Sequence, residues 1–474
     1  MNFHRYFATE RPPVETCIVG TGGFGRSFLA QGLRVPMMRA RVAVDREADI
    51  AAASLKAVGI APRRIHICRS AAEAKAAYEA GDFIAADDLA LVLDLPIEVV
   101  VEATGHPEAG ARHSRLAIEA GRHLALVSKE VDSVIGPVLA HLAAERGRVA
   151  TPVDGDQPSL LIGLITWAQT LGLEIIAAGK SSEYDFTFDA ASGLVTSNGR
   201  TLAAPGFRDA WALGERPVAD IVAARAAAAA ALPQRAVPDL CELLVVANAT
   251  GFTPDRPDLH APIARIPEVP TVLSLAEEGG LLAGERRLDV FHCLRAPDEA
   301  SFAGGVFVLV RCTDADSWAM LAEKGHPVSR SGRTAMIYIP RHLLGVEAAT
   351  SVLEAALRGA SSGGLAPRPH LDLVARATRD LAAGSVLEMG GHHHTIEGTQ
   401  AELVPGAPLE EDTPAPFYLA ANCRLARPVA RGQAITFGDI EVPEGSELLA
   451  LRRRQDALFF GAPAPAPARV AEAV

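Results

Sequence analysis

The stretch TCIVGTGGFG, residues 16–25, decides how the amino-terminal part of the chain folds. A short apolar strand opens it, and a helical pattern follows at 26–33. Between them Gly20, Gly22 and Gly25 have the spacing G-x-G-x-x-G. In such a turn the first glycine permits the tight bend and the second lets the backbone approach a pyrophosphate. The third lets helix and strand pack closely, so the stretch predicts a dinucleotide-binding turn.

A second strand, residues 41–44, ends on Asp45, which lies 20 residues after Gly25. An acid at this place can accept hydrogen bonds from a ribose hydroxyl. Asp45 favours NAD because it repels a 2′-phosphate, whereas Arg46 could hold that phosphate or be an ordinary surface charge. NAD and NADP both stay open. The expected cofactor-binding residues are Gly20, Gly22, Gly23, Phe24, Gly25, Asp45, Arg46, Thr104, Gly105 and Lys129.

Further strands alternate with helices in the first 150 residues. The strand at 97–102 ends near Thr104 and Gly105, and the strand at 123–127 ends near Lys129. Strands separated by helices predict a parallel, doubly wound sheet, whose ligand crevice lies outside the carboxyl ends of the strands. We therefore expect an α/β protein that begins with a Rossmann domain.

The middle of the chain changes character. Apolar runs bounded by turn residues predict strands at 173–178, 243–247, 288–293, 306–311 and 335–339, which suggest a mixed sheet in a second α/β domain. Glycine and proline cluster at 361–369 and mark a linker. Beyond the linker, short strands and turns predict a small, mostly β domain. The expected domains are 1–150 (Rossmann), 151–365 (catalytic), 366–455 (mostly β) and an Ala/Pro-rich tail at 456–474.

Composition excludes several classes of protein. The 474 residues are 49% hydrophobic and 22% charged, so the chain can bury a core and is not disordered throughout. Forty-five basic and 57 acidic residues leave a net charge of −12. This balance argues against broad binding to nucleic acid or to anionic membranes, because both require a basic surface.

The cysteines and the amino terminus bear on the compartment. Six cysteines are scattered without a C-x-x-C pair, which is typical of a reduced, cytoplasmic protein. Residues 1–15 lack the apolar core of a signal peptide, and no apolar run is long enough to span a membrane. We expect a cytoplasmic homo-oligomer that acts on a small molecule.

Two lysines at strand ends are candidate catalytic residues. Lys129 follows a strand of the Rossmann sheet, near the expected nicotinamide, and Lys180 ends a strand of the second domain. Either could polarise a carbonyl or pair with a phosphate, although a lone lysine is usually solvated. The nearby acids Glu130 and Glu183 could complete a metal shell or form local ion pairs, and we count Glu183 with the two lysines among the candidate catalytic residues.

An acid pair follows the Rossmann part. In an extended segment, residues two apart point to the same face, so Asp154 and Asp156 could converge on Mg²⁺ or Mn²⁺. Alternatively, Asp156 or Gln157 caps the helix expected at 159–171. Spacing alone leaves the two interpretations equal.

Two further clusters carry weaker signals. Arg330, Arg333, Arg341 and His342 bracket the strand at 335–339, where they could form an anion pocket, although a surface charge cluster is the simpler interpretation. The run His392-His393-His394 suggests a metal, but neighbours on a strand alternate faces and no partner stands at ligand spacing. We do not expect a metal there.

Several motifs together resemble one family. They are the glycine turn at 20–25, VEATG at 101–105, DGDQP at 154–158, AAGK at 177–180 and ANATG at 247–251. The combination is similar to homoserine-dehydrogenase-like oxidoreductases with a carboxyl-terminal SAF domain, including the DXR-like (DRL) reductoisomerases. The likeness covers about residues 14–455, and its SAF-like part runs from Val374 to Val442.

The resemblance implies a specific reaction. DRL enzymes convert 1-deoxy-D-xylulose 5-phosphate to 2-C-methyl-D-erythritol 4-phosphate in isoprenoid biosynthesis, with NADPH and a divalent cation. Ordinary reductoisomerases also place an acid-x-acid pair on the cation and a Lys-Glu pair by the nicotinamide. The resemblance therefore implies a metal on Asp154 and Asp156, Lys129 on the reacting carbonyl, and Lys180 on an anionic group. The implied substrate is a phosphorylated or carboxylated polyol.

The sequence departs from that pattern in two places. Asp156 replaces the longer glutamate of the ordinary enzymes, and Asp45 suits NAD better than NADPH. Two rivals therefore stay open beside the reductoisomerase. One is a simple dehydrogenase of a homoserine-like or sugar-acid substrate, and the other is a non-catalytic protein that senses cofactor and binds a sugar.

Overall fold

The computed structural model describes residues 2–390 and 394–461. Its amino-terminal sheet has seven strands in the order β3-β4-β2-β1-β5-β6-β7, and every pair is parallel. The strands are β1 (Val14–Val19), β2 (Met38–Val44), β3 (Ile65–Ile67), β4 (Phe83–Ala86), β5 (Val99–Glu102), β6 (His123–Leu126) and β7 (Ala150–Pro152). The predicted Rossmann-type sheet is confirmed.

The order of these strands locates the ligand crevice. Strand β1 has β2 on one side and β5 on the other, so the chain changes direction across the sheet at β1. The loops that follow the carboxyl ends of β1 and β5 flank this switch point, where open α/β sheets bind their ligands.

Fourteen α-helices are found among the described residues. The first seven are α1 (Phe3–Tyr6), α2 (Gly23–Gly32), α3 (Ala48–Ala57), α4 (Ala71–Glu79), α5 (Pro107–Glu119), α6 (Lys129–Glu145) and α7 (Gln157–Thr170). The others are α8 (Val218–Ala228), α9 (Val237–Thr250), α10 (Val269–Val272), α11 (Ala315–Glu323), α12 (Ala349–Leu353), α13 (Phe417–Ala420) and α14 (Glu447–Phe460).

A separate mixed sheet occupies the middle of the chain. Its main path is β11-β10-β9-β13-β8-β14-β15, and β12 pairs with β13. The strands are β8 (Ile175–Ser181), β9 (Phe186–Asp189), β10 (Leu194–Ser197), β11 (Arg200–Ala203), β12 (Ile263–Ala264), β13 (Arg287–Arg295), β14 (Val306–Arg311) and β15 (Thr334–Ile339). Parallel and antiparallel pairs both occur, as the sequence predicted.

The strand predicted at 243–247 is wrong, because these residues lie inside helix α9. The run Leu-Leu-Val-Val-Ala is apolar throughout, and periodicity cannot distinguish a buried strand from a buried helix. Helix α9 is buried along most of its length, so it lacks the polar face that identifies an ordinary surface helix.

The carboxyl-terminal part contains three small antiparallel sheets, formed by the pairs β16–β19, β17–β18 and β20–β21. The strands are β16 (Leu371–Ala377), β17 (Met389–Gly390), β18 (Thr395–Ile396), β19 (Thr399–Pro405), β20 (Arg424–Leu425) and β21 (Ile440–Glu441). The mostly β character is confirmed, while the specific likeness to a SAF domain stays a prediction. Helix α14 continues to Phe460, so the first residues of the predicted tail are helical.

Helix α14 ties the carboxyl-terminal part to the Rossmann part. The guanidinium of Arg115 in α5 donates to both carboxylate oxygens of Glu447 (2.9 and 2.8 Å). One continuous apolar core runs from Cys17 in the first sheet to Leu451 in α14. Among the described residues, none of the helices combines the length and apolar character that a membrane crossing requires.

Candidate active site

The glycine turn has the geometry that a dinucleotide needs. Gly20 has φ of +91°, and a Cβ on Gly25 would lie 2.1 Å from the carbonyl oxygen of Gly20, so neither position tolerates a side chain. At Gly22 and Gly23, by contrast, a Cβ would meet no described atom within 4 Å. The turn is therefore tight on its protein side and open on the side of the α2 amino terminus, where free N–H groups attract an anion.

Asp45 stands beside this turn, at the end of β2. Its carboxylate accepts hydrogen bonds from the Thr21 amide (2.7 Å) and hydroxyl (2.6 Å), and from the Arg46 amide (2.9 Å). The Arg46 side chain is exposed. The structure thus places both predicted ribose-side residues after β2, beside the glycine turn.

The loop after β5 is fixed by its neighbours. The Thr104 hydroxyl donates to Glu102 (2.6 Å), and the Gly105 amide donates to the Ser128 hydroxyl (2.8 Å). Gly105 has φ of +65°. Because Ser128 also precedes Lys129 at the start of α6, this bond joins two loops of the crevice.

Lys129 and Lys180, predicted separately, meet at one carboxylate. The two oxygens of Glu242 in α9 each accept a hydrogen bond, Oε1 from Lys129 Nζ and Oε2 from Lys180 Nζ. Lys180 also donates to Asp239 Oδ1 (2.7 Å), and Ser182 donates to Asp239 Oδ2 (2.7 Å). The lysine side chains differ in exposure, at 22% for Lys129 and 2% for Lys180.

This pairing determines the charges of the network. Burial alone would raise the pKa of Glu242, but Lys129 and Lys180 outweigh it and hold that pKa at about 2. Burial would lower the pKa of Lys129, but Glu242, Asp156 and Glu130 raise it well above its ordinary value. Lys129 is therefore an ammonium group at neutral pH.

The extended geometry expected for Asp154 and Asp156 is wrong. Residues 153–156 form a turn and not a strand, with Gly155 at φ of +96° and the Asp156 amide bonded to the Val153 carbonyl (3.2 Å). The two-residue period of an extended segment therefore does not apply. Asp156 caps helix α7, as the alternative interpretation held.

Asp154 is occupied elsewhere. Its carboxylate accepts hydrogen bonds from the hydroxyls of Ser159 and Thr350, both at 2.5 Å, and its amide donates to Ser351. Only Asp156 of the pair lines the cavity described below. In the part of the chain that the structure describes, no three His, Cys, Asp or Glu side chains form a group that could hold a metal ion. As placed, the two aspartates do not form one shared cation site.

A cavity of about 280 Å³ lies beside the lysine network. Its polar lining side chains are Lys129, Glu130, Asp156, Gln157, Lys180, Glu183, Asp239, Glu242, His342 and His394. Burial raises the pKa of Asp156 within it. The predicted catalytic residues Lys129, Lys180, Glu183 and Asp156 are thus brought together here, whereas Asp154 is not.

The basic cluster around β15 does not form the anion pocket. Arg330 donates to the carbonyls of Gly214 and Arg216, and Arg333 pairs with Glu278 at 3.5 Å. His342 lines the cavity, with its Nδ1 2.8 Å from the Gly304 carbonyl oxygen. Of the histidine run, His392 and His393 lie outside the described residues.

Sequence reasoning missed three site residues. Asp239 and Glu242 are not singled out by the sequence pattern, which predicts a strand at 243–247 where the structure has part of α9. Their spacing of three, inside an otherwise apolar helix, was the available signal, since it places both carboxylates on one face. His394 belongs to the histidine run, to which the sequence assigns no role.

Residues 238–348 match the family model described as oxidoreductase DRL, catalytic domain. This segment contains Asp239, Glu242 and His342 but neither lysine. The match and the dinucleotide-type crevice together support NAD(P)-dependent oxidoreduction. No curated protein sequence matches the chain.

Three solved structures are similar in part. GenD2 from gentamicin A biosynthesis, in complex with NAD, is 19% identical over 37% of this chain and 46% of that chain (TM-score 0.25). DOX-P reductoisomerase with fosmidomycin and magnesium is 20% identical over 36% and 46% (TM-score 0.26). A variant of KijD10, a 3-ketoreductase from Actinomadura kijaniata in complex with TDP-benzene and NADP, is 13% identical over 74% and 91% (TM-score 0.31). The chain spans less than half the length of the first two.

Proposed function

We propose that the protein is an NAD(P)-dependent oxidoreductase that transfers hydride between a nicotinamide and the carbon of a hydroxyl or carbonyl group. The observation that carries this proposal is the position of Lys129. Its ammonium is held by the buried Glu242, in a cavity at the carboxyl edge of a dinucleotide-type sheet. The Gly105 loop borders the same edge.

The residues present fit a nicotinamide dinucleotide. The open faces of Gly22 and Gly23 would admit the pyrophosphate at the start of α2, and Asp45 would accept from the ribose. When bound, the cofactor supplies or accepts the hydride.

Lys129 would act on the oxygen of the reacting group. An ammonium donor placed before the reaction stabilises the negative charge that develops on a carbonyl oxygen as its carbon is reduced. Glu242 keeps Lys129 charged and fixes its direction. Lys180 is already paired with two protein carboxylates, so we now assign it to orienting Glu242 and not to holding an anionic substrate group.

The charges of the cavity limit the class of substrate that it can accept. Five carboxyl side chains and two lysines line it, and no arginine is among its described lining residues. We therefore propose that an uncharged polyol carbon enters the cavity, and that any phosphate or carboxylate of the substrate binds outside it.

A narrower candidate is reductoisomerisation of 1-deoxy-D-xylulose 5-phosphate. The match of residues 238–348 to the DRL catalytic domain favours it. The misfit of the aspartate pair to a cation disfavours the metal-assisted form, so we derive no step through a metal.

The test compares Lys129→Met with Lys75→Met. Lys75 is a matched control because its side chain is 72% exposed and lies 3.9 Å from Glu79 on the surface. Reduced nicotinamide is followed by its near-ultraviolet absorbance with a panel of ketoses, aldoses and their acids. We expect Lys129→Met to lower kcat by about 10²- to 10⁴-fold and Lys75→Met to leave it unchanged.

Cofactor affinity is measured for each variant by fluorescence titration with NADH and NADPH. Tight binding without hydride transfer to any compound would favour the cofactor-sensing rival. For the narrower candidate, deoxyxylulose phosphate is supplied with Mg²⁺, with Mn²⁺, or with a chelator. Turnover that chelation abolishes would support a metal-dependent reductoisomerase and contradict our assignment of the aspartates.

A further inference from the structure

A histidine from the carboxyl-terminal part reaches the cavity. His394 directly precedes β18, and its Nδ1 lies 2.9 Å from Oε1 of Glu130 in α6. A Cβ on Gly105 would lie 3.2 Å from Cε1 of His394. The imidazole therefore stands between the loops that follow β5 and β6, at the edge of the sheet where the reacting end of a dinucleotide is expected.

The backbone of His394 is held in an uncommon conformation. Its φ is +47°, in the left-handed region that residues other than glycine adopt uncommonly. Such strain persists only where the surroundings hold the residue in place, and it concentrates at functional sites. Here Glu130, with a side chain only 8% exposed, supplies the anchoring contact.

We infer that His394 is a catalytic residue that exchanges the proton of the reacting oxygen, and that Glu130 is its positioning residue. The inference rests on the proposed function and deepens it. Nδ1 is committed to Glu130, which leaves Nε2 as the ring nitrogen that can reach a ligand. A carboxylate on the far nitrogen orients an imidazole and stabilises its protonated form.

The network gives Lys129 and His394 different tasks. The raised pKa of Lys129 makes it a stable donor to the oxygen but a poor source of a proton. Imidazole ordinarily gains and loses a proton near neutral pH. The site therefore separates charge stabilisation, on Lys129, from proton exchange, on His394.

The reducing direction consists of one hydride transfer and one proton transfer. As hydride reaches the carbonyl carbon, a C–H bond forms, the π electrons move to oxygen, and the reduced nicotinamide becomes oxidised. The oxygen then takes the Nε2 proton of the His394 imidazolium, so an O–H bond forms and an N–H bond breaks. The side chain is 33% exposed, so solvent can return the proton. Oxidation runs the same transfers backwards.

His342, the other described histidine of the cavity, suits this task less well. Its Nδ1–H donates to the Gly304 carbonyl, a neutral acceptor. Of these two histidines, only His394 has a carboxylate, that of Glu130, as the partner of its Nδ1. The charged and titratable groups that face His394 across the cavity are Lys129, Glu130, Asp156, Lys180, Glu183, Asp239, Glu242 and His342.

The experiment compares His394→Gln, Glu130→Gln and His141→Gln in the full-length protein. His141 is the matched control because it forms a surface pair with Glu145 at 3.2 Å. For each variant, kcat and KM are measured against pH in the reducing direction, with NADH affinity and thermal unfolding alongside. Since reduction consumes the proton of the imidazolium, we expect wild-type kcat to fall as pH rises.

We expect His394→Gln to lower kcat by about 100-fold, to change KM by less than about threefold, and to remove that falling limb. Glu130→Gln should lower kcat by a smaller factor than His394→Gln and leave KM nearly unchanged, because the imidazole stays but loses the carboxylate that orients it. His141→Gln should match the wild type. A His394→Gln variant that keeps kcat within about twofold, or keeps the limb, overturns the inference.

A second readout does not depend on turnover. Diethyl pyrocarbonate modifies neutral imidazoles, and mass spectrometry of peptides locates the product. NADH should protect His394, but not His141, from this modification. Equal modification of the two histidines in the presence of NADH would overturn the inference. A wild type that transfers hydride to no substrate would instead reject the proposed function, so the two failures are distinguishable.

Discussion

Thr21 donates two hydrogen bonds to the carboxylate of Asp45, one from its amide (2.7 Å) and one from its hydroxyl (2.6 Å). These bonds connect the glycine turn after β1 to the end of β2. They also hold a negative charge at the place where a dinucleotide presents its ribose. The turn and the acid therefore form one unit, and the charge of that unit bears on cofactor choice.

We expect the wild type to bind NADH more tightly than NADPH, because Asp45 repels a 2′-phosphate. Asp45→Asn should shift the ratio of the two dissociation constants toward NADPH by about tenfold. Fluorescence titration measures both constants. Asp49→Asn, on an exposed position in the first turn of α3, should leave the ratio unchanged. A wild type that prefers NADPH would show that Arg46 dominates the site.

Two glycine substitutions should have opposite effects. Gly25→Ala would place a Cβ 2.1 Å from a backbone oxygen, so it should abolish detectable cofactor binding and lower thermal stability. Gly163→Ala lies in the interior of α7, where a Cβ meets no described atom within 4 Å. It should raise the free energy of unfolding by about 0.5–1 kcal/mol and leave cofactor binding intact. Equal behaviour of the two variants would contradict the packing described here.

The parts of the site that local spacing determines could be predicted from the sequence. The glycine turn and Asp45 are set by short-range geometry. Lys129 follows β6 of the first sheet, and Lys180 is the penultimate residue of β8 in the mixed sheet. Asp154 and Asp156 could not be placed, because a left-handed Gly155 turns the chain where an extended segment was assumed.

Long-range contacts could not be predicted from the sequence for a different reason. Glu130 and His394 are 264 residues apart, and Lys129 and Glu242 are 113 apart. Nothing in the local pattern around either partner encodes such a pairing. The alignment of Glu242 with Asp239 depends on the helical conformation of α9, which places both residues on one face.

His123 should make stability depend on pH. Burial and the neighbouring Arg148 lower its pKa to about 4, and its Nδ1 accepts a hydrogen bond from the Val149 amide (3.1 Å). The neutral ring is favoured in the folded protein, so its contribution is present above the ordinary pKa of about 6.5 and is lost as pH falls toward 4. Solvent screening limits the loss to about 1–2 kcal/mol.

The measurement is the free energy of unfolding by urea, compared between near-neutral pH and the acid end of that window. His123→Asn keeps an acceptor for the Val149 amide but does not titrate there. The variant should lose less stability on acidification than the wild type. An equal loss would assign the acid sensitivity to other groups.

Gln455 should stabilise the helix that carries Lys129 and Glu130. Its side chain donates to the Val134 carbonyl (3.0 Å) and accepts from the Val138 amide (3.2 Å), on either side of Pro137 in α6. Replacement by Met would remove both partners from buried backbone groups, at about 1–3 kcal/mol. Arg453 is an exposed residue of α14, the helix that carries Gln455, so Arg453→Met should change stability by less than about 0.5 kcal/mol. Urea unfolding distinguishes the two.

Glu242→Gln tests the centre of the lysine network. A carboxamide offers one acceptor oxygen and turns two N–H donors toward ammonium groups, so both lysines lose part of their compensation. Near neutral pH we expect a loss of about 2–4 kcal/mol in the free energy of unfolding. Lys129 should also lose its proton more easily, because its first electrostatic partner is gone.

The pH dependence of that loss follows from the sign of the shift. The pKa of Glu242 is depressed to about 2, so its stabilising effect is fully present above its ordinary value of about 4.5 and disappears as pH falls toward 2. The stability difference between wild type and Glu242→Gln should therefore shrink across that window. Glu79→Gln, which alters an exposed lysine–glutamate pair, should show no such difference at any pH. A constant gap between wild type and Glu242→Gln would mean that the amide disrupts packing, since an electrostatic loss must fade once the carboxylate is protonated.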